Sequence, residues 1–163
     1  MSRIATFAIA LLCTLQLNAQ KLDANSFDFW VGDWNLTWTD ANGGSGKGTN
    51  KLVTILDDKV IQEHFEAHEG ALSGYKGTSI SVYNPQNQTW HQTWQDNQGG
   101  NIVFTGRVDG DKKYFETVLN NGNQSRMVFH SFSEEGFTWD WEATTDGGKN
   151  WTLNWQINYR KAK

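Results

Sequence analysis

Trp90 and Trp94 lie four residues apart with Gln92 midway between them. On an extended strand all three share a face, because side chains alternate with a period of two. Two indoles flanking an amide suit a flat apolar molecule, or a sugar ring stacked on indole. Trp139 and Trp141 share a face in the same way, and Trp38 and Trp155 belong to two further alternating runs. Arg126, turned inward, would hold a carboxylate or phosphate bidentately. His130 shares its parity with Arg126 and Val128. The candidate ligand-binding residues are therefore Trp38, Trp90, Gln92, Trp94, Arg126, His130, Trp139 and Trp155.

Other chemistries find less support. His64 and His68 are four apart, which on a strand separates them by about 13 Å, too far to share an ion. His64 and Glu66 are nearer, at about 7 Å, but lack a third ligand. No metal site is expected. The only cysteine is Cys13, near the N-terminus, which excludes disulfides and thiol chemistry from the remainder. There is no Gly-x-Ser-x-Gly, no phosphate-cradling glycine loop and no His-Glu-x-x-His. Glu63, Glu66, Glu116, Asp140 and Glu142 are the carboxylates on strand-like runs, and each is expected to face outward.

The elements that must carry these residues are strands. Ten runs of period-two character span residues 34–39, 47–56, 59–68, 74–83, 89–96, 101–108, 112–119, 125–132, 137–145 and 151–160. Turn sequences separate them, among them Asn42-Gly43-Gly44, Asn84-Pro85 and Asp109-Gly110-Asp111. Short turns make sequential strands antiparallel neighbours. An open meander of this length would leave two long edges, and closure removes both. The prediction is one all-β, antiparallel up-and-down barrel of about ten strands, closed by pairing the Trp34 strand with the Trp155 strand. A two-sheet sandwich is the alternative.

Residues 27–38, FDFWVGDWNLTW, open this structure, with five aromatics in twelve positions. Phe27, Phe29 and Trp30 read as a short helical plug, and Trp34, Leu36 and Trp38 as the inner face of the first strand. Gly32 and Trp34 are assigned structural roles. So are Asp146, Gly148 and Trp151 in the segment TTDGGKNW. There the aspartate accepts backbone amides, Gly147 and Gly148 supply positive φ, and the indole packs beneath.

The N-terminus has a different character. Arg3 precedes an apolar run over residues 4–15, and Ala19 ends the Leu-Asn-Ala sequence that suits signal peptidase. Residues 1–19 are expected to be a signal peptide and residues 20–163 the barrel domain, with a periplasmic or secreted address. Without Arg3 the chain keeps 13 basic against 18 acidic residues, a formal charge of −5. With no basic cluster, nucleic acid is not an expected partner. There is no second apolar span, so no membrane crossing is expected.

The segments FDFWVGDW, GYKGTSISVYNPQNQTWHQTWQD and TTDGGKNWTLNWQINYR, in that order, resemble the bacterial FWxGxW family, a lipocalin-like domain of unknown function. The resemblance covers the chain after residue 19 and implies a calycin-type barrel in a secreted bacterial protein. It implies no particular activity. Gly32-Asp33-Trp34 is also similar to the Gly-x-Trp signature of lipocalins, whose tryptophan packs across a barrel end under an arginine. Arg160 or Arg126 would be that arginine here. By likeness to ten-stranded haem-binding barrels, His130 is the residue that would hold a haem; otherwise no cofactor is expected.

These readings converge on a secreted binding protein with a small apolar or aromatic ligand. Binding would draw on about 25 cal/mol per Å² of apolar surface buried, with Gln92, Arg126 and His130 fixing orientation. Two alternatives stand beside it. One is an isomerase- or cyclase-type enzyme using a pocket histidine or glutamate as acid/base. The other is a glycan-binding module with its tryptophans on an exposed face.

Overall fold

A computed structural model describes residues 22–40 and 42–163. The expected signal peptide over residues 1–19, with Cys13, lies outside the described residues. Ten strands follow in order: β1 (Gly32–Thr39), β2 (Ser45–Ile55), β3 (Val60–Glu69), β4 (Lys76–Asn84), β5 (Thr89–Asp96), β6 (Asn101–Asp109), β7 (Lys112–Glu116), β8 (Gln124–His130), β9 (Gly136–Thr144) and β10 (Thr152–Lys161). Each pairs antiparallel with the next, and β1 pairs with β10, so the sheet closes as a barrel. The closing register sets Leu36 opposite Tyr159 and Trp38 opposite Ile157. Among the described residues no sheet edge is left unpaired, as closure requires.

Three departures from the sequence pattern bear on the faces and ends of the strands. β7 ends at Glu116, because Thr117 leaves the ladder to exchange hydrogen bonds with Ser125 through both backbone and hydroxyl. β8 stops at His130, since Ser131 takes a positive φ of 54°. In β10 the register shifts between Leu153 and Trp155. That irregularity removes Trp151 and Leu153 from the face shared by Trp155, Ile157 and Tyr159.

Alternation decides what lies inside. Trp34, Leu36 and Trp38 of β1 are buried, as are Phe65 and Ala67 of β3, Phe104 of β6, Phe129 of β8 and Phe137 and Trp139 of β9. The intervening residues face solvent or the outer surface. Two glycines make room for large rings: a Cβ on Gly46 would strike the Trp38 indole, and one on Gly77 would strike the Trp94 indole. The strand opposite each tryptophan thus carries no side chain where the ring must pass.

A single 3₁₀ turn, Asp28–Trp30, precedes β1. Phe27 stacks on Phe115 with centroids 4.3 Å apart, and Trp30 meets Phe129 edge-on at 5.0 Å. The Trp34 indole N–H donates to the Trp30 carbonyl at 2.8 Å, and its ring packs edge-on against Phe137 at 5.0 Å. Among the described residues no arginine lies over Trp34, in contrast to the lipocalin pattern. Arg126 stacks on Trp151 instead, and Arg160 is exposed. Phe137 and Tyr159 take the covering place.

Trp34 therefore joins the turn, the first strand and the closing strand. Trp34→Ala is expected to cost about 3–5 kcal/mol, the usual loss for a buried aromatic, measured by equilibrium denaturation. A near-neutral change would contradict this role.

Candidate functional site

At the end of the barrel carrying Trp38, Trp94 and Trp155, the interior is not filled. A cavity of about 240 Å³ is lined by Glu63 and Phe65 from β3, Trp94 from β5, Ile102 and Phe104 from β6, and Met127 from β8. Trp139 and Trp141 from β9, with Trp155, Ile157 and Tyr159 from β10, complete the wall, and Tyr75 of the β3–β4 loop borders it. Trp139 and Trp141 lie nearly parallel, 11° apart, with Trp155 edge-on to Trp139 at 5.6 Å. The volume is below the roughly 300–1,000 Å³ typical of drug-sized sites, room for no more than a small molecule.

Asp96 fastens one side of this end. Its Oδ2 accepts from the Tyr75 hydroxyl at 2.9 Å and from the Trp94 indole at 3.1 Å. Its Oδ1 accepts the backbone amides of Gln98 and Gly100. Burial, reinforced by the Asp96 carboxylate, pushes the Tyr75 hydroxyl up to about 12, so it remains a neutral donor. Trp94 and Tyr75 are thereby held against Phe65 at one side of the cavity.

The polar floor is built on Glu63. Its Oε1 accepts from Asn50 Nδ2 at 2.7 Å and its Oε2 from the Ser79 hydroxyl at 2.5 Å. Asn50 also donates to the Tyr159 hydroxyl at 3.1 Å. Gln92 donates to Ser79 and Ser81 at 3.2 and 3.1 Å, extending the layer across β4 and β5. Desolvation pushes the Glu63 carboxyl up to about 7, partly offset by the hydrogen bonds from Ser79 and Asn50. The Tyr159 phenol is raised as well, by burial first and then by the Glu63 charge. Three buried atoms lack a protein partner here: Asn50 Oδ1, Gln92 Oε1 and the indole nitrogen of Trp155.

The expected outward position of Glu63 is thus overturned. Glu63 has the parity of Ile61, Phe65 and Ala67, all buried, and it is itself only 4% exposed. Its signal was in the sequence: an acid interrupting an otherwise apolar face. The other four carboxylates do face outward. Glu66 pairs with Lys76, Glu116 with Arg107, Glu142 with Arg126, and Asp140 with His130.

The eight residues proposed as ligand contacts divide into three groups. Trp94, Trp139 and Trp155 line the cavity. Trp38, Trp90 and Gln92 point inward but do not line it. Trp38 donates to Asp40 and buttresses Trp155 edge-on at 5.4 Å. Trp90 sits toward the opposite end, donating to the Asp23 carbonyl and packing on Phe27. Gln92 is sealed in the polar layer behind Ser79. Arg126 and His130 are on the outer surface, because β8 turns Met127 and Phe129 inward.

On that outer surface Arg126 lies 3.6 Å from the Trp151 ring centre and bonds Glu142 at 2.6 Å. Its charge is occupied, so neither carboxylate nor phosphate reaches it from the barrel interior. His130 shares Asp140 with Gln156, each at 2.8 Å, which leaves its ring outside any haem-sized interior space. Trp151 is positioned by the preceding turn. There Asp146 accepts the amides of Lys149 and Asn150 at 3.0 Å, and Gly147 and Gly148 adopt φ of 78° and 86°. Those bonds, Asn150 foremost, hold the Asp146 carboxyl down at about 2. His64 and His68 are on the outer face of β3, where His68 bonds Thr49. No group of three metal-ligating side chains exists among the described residues.

No family model matches the chain, and no curated protein does. Among solved structures, a de novo designed fluorescence-activating β-barrel is similar at a TM-score of 0.47, with 9% identity over 85% of this chain and 98% of that chain.

Glu63 makes stability pH-dependent in a defined window. Below about pH 4.5 the carboxyl is protonated whether the chain is folded or not. Between 4.5 and about 7 only the unfolded chain ionises it, so the folded state holds the extra proton and stability falls as pH rises. The loss is on the order of 3 kcal/mol once pH exceeds 7. Asp146, Glu66 and Asp96 have lowered values and act below this window. Chemical denaturation from pH 5 to pH 8 should show the decline in the native protein, and a flat profile in Glu63→Gln. A decline of equal size in both proteins would assign it to other groups.

Proposed function

We propose that this chain is a small-molecule-binding β-barrel, with its ligand in the cavity above Glu63. One observation carries the reading: an aromatic-walled space remains at one end of the barrel, while Phe27, Trp30, Phe115 and Phe129 pack together at the other. The ligand would bury apolar surface against Trp139, Trp141, Trp155 and Phe104, while Glu63 orients it. Residues 27–30 act as the plug that closes the opposite end. The N-terminal pattern around Arg3 and Ala19 supports export to the periplasm or medium. The three segments described above support membership of the FWxGxW family.

An acid/base enzyme on the same barrel has Glu63 in its favour, since a carboxyl near 7 at a cavity floor is poised to exchange protons. Histidines 64 and 130 and Glu66 play no part in that alternative, being outside the barrel. A glycan-binding platform lacks its surface: all nine tryptophans are buried or half-buried.

Tryptophan emission titrated with toluene, 2-phenylethanol and maltohexaose tests the binding reading. A saturable change with the aromatics and none with the oligosaccharide is expected. Ile102→Trp, which fills the cavity wall, should abolish the response. Arg126→Ala and His130→Ala should leave it unchanged. No saturable change with either aromatic, or an unaltered response in Ile102→Trp, would refute the assignment.

A further inference from the structure

We propose that the cavity selects a small organic cation, an arylalkyl-ammonium whose ring lies among the tryptophans and whose nitrogen pairs with the Glu63 carboxylate. This inference rests on the binding reading above and adds the chemical class of the ligand.

The charges lining the cavity are of one sign. Glu63 is there, and no lysine, arginine or histidine is, among the described residues. An anionic head group would meet a carboxylate with nothing to neutralise it. The remaining wall is largely aromatic, and indole faces attract a cation through their quadrupole, most strongly when it is desolvated. Trp139, Trp141 and Trp155 present three such rings around one space.

Glu63 is also held for the purpose. Asn50 and Ser79 each donate one hydrogen bond to a different carboxylate oxygen. A carboxylate has about four acceptor positions, so two remain. Those two donors orient the group without neutralising it, and they are uncharged. A buried carboxylate without a counter-charge is costly, whereas one paired with a cation and hydrogen-bonded is not. An ammonium supplies what the protein itself omits. A neutral ligand leaves that cost in place.

The groups around Glu63 confirm that no internal cation competes. Asn50 and Leu52 face it from β2, Ser79 and Ser81 from β4, Gln92 from β5 and Tyr159 from β10, with Tyr75 of the β3–β4 loop nearby. The two tyrosines are the only titratable members, and burial raises both, so they stay neutral near pH 7. Cation uptake is therefore linked to the ionisation of Glu63 alone.

The test compares 2-phenylethylammonium, 2-phenylethanol and phenylacetate by isothermal calorimetry on the whole protein. At pH 8 the ammonium is expected to bind at least tenfold more tightly than the alcohol, with phenylacetate weakest. Ammonium affinity should rise about tenfold from pH 6 to pH 8, as a carboxyl near 7 ionises, with protons released to buffer. Alcohol affinity should not follow. In Glu63→Gln the ammonium should lose its advantage over the alcohol, with an unchanged near-UV circular dichroism spectrum reporting an intact barrel. Should that variant not fold, proton release by the native protein still decides the matter. Equal or tighter binding of the alcohol or phenylacetate overturns the cation assignment and leaves the binding reading standing. So does an ammonium preference that persists in Glu63→Gln or releases no proton. Failure of all three compounds to bind removes both.

Discussion

Pairing of β1 with β10 is the constraint on which everything else depends. Once Leu36 is opposite Tyr159 and Trp38 opposite Ile157, no strand has a free edge and each has one inner and one outer face. A slip of one residue would exchange the faces and expose the tryptophans. The register is pinned where Trp34 reaches back to the Trp30 carbonyl and packs on Phe137. Ten closed strands enclose more space than a few side chains fill. The aromatic residues gathered around Phe27, Trp30, Phe115 and Phe129 occupy one end. The unfilled remainder lies at the other.

Between the two ends runs a polar layer that is unusual for a barrel interior. Asn50, Glu63, Ser79, Ser81, Gln92 and Tyr159 bond to one another across β2, β3, β4, β5 and β10, all of them buried. Such a layer costs stability unless its members are satisfied. Here it is nearly so, with Asn50 Oδ1 and Gln92 Oε1 left over. Burial raises the Glu63 carboxyl into the neutral range against the hydrogen bonds from Ser79 and Asn50, and the carboxyl borders a space walled by tryptophan.

Much of the fold was legible in the chain. Alternation and turn chemistry located all ten strands, and the need to remove edges predicted closure. The site was legible only in part. Trp94 and Trp139 were placed on an inner face because tryptophans four and two apart on a strand share a face, and Trp155 because it alternates with Ile157 and Tyr159. Arg126 and His130 were misplaced because their strand, QSRMVFH, carries Met127 and Phe129 on one face and Val128 on the other. Val128 is buried too, beneath the outer layer of Tyr114, Arg126 and Asp140, so hydropathy alone did not reveal parity. β4 inverts the usual rule: Ser79 and Ser81 face inward while Ile80 and Val82 are 39% and 37% exposed. Its serines serve the Glu63 layer, a tertiary demand that no local pattern encodes. The register shift before Trp155 likewise separates Trp151 from the face its spacing implied.

The central claim is that an ionisable glutamate sits at the floor of a ligand cavity. The most direct measurement is the carbon-13 titration of the Glu63 side-chain carboxyl, assigned through Glu63→Gln and followed with and without saturating 2-phenylethylammonium. The account predicts a midpoint near pH 7 in the free protein, moving to lower pH when the ammonium is bound. A midpoint at the ordinary glutamate value near 4.5, unmoved by the ammonium, would contradict it.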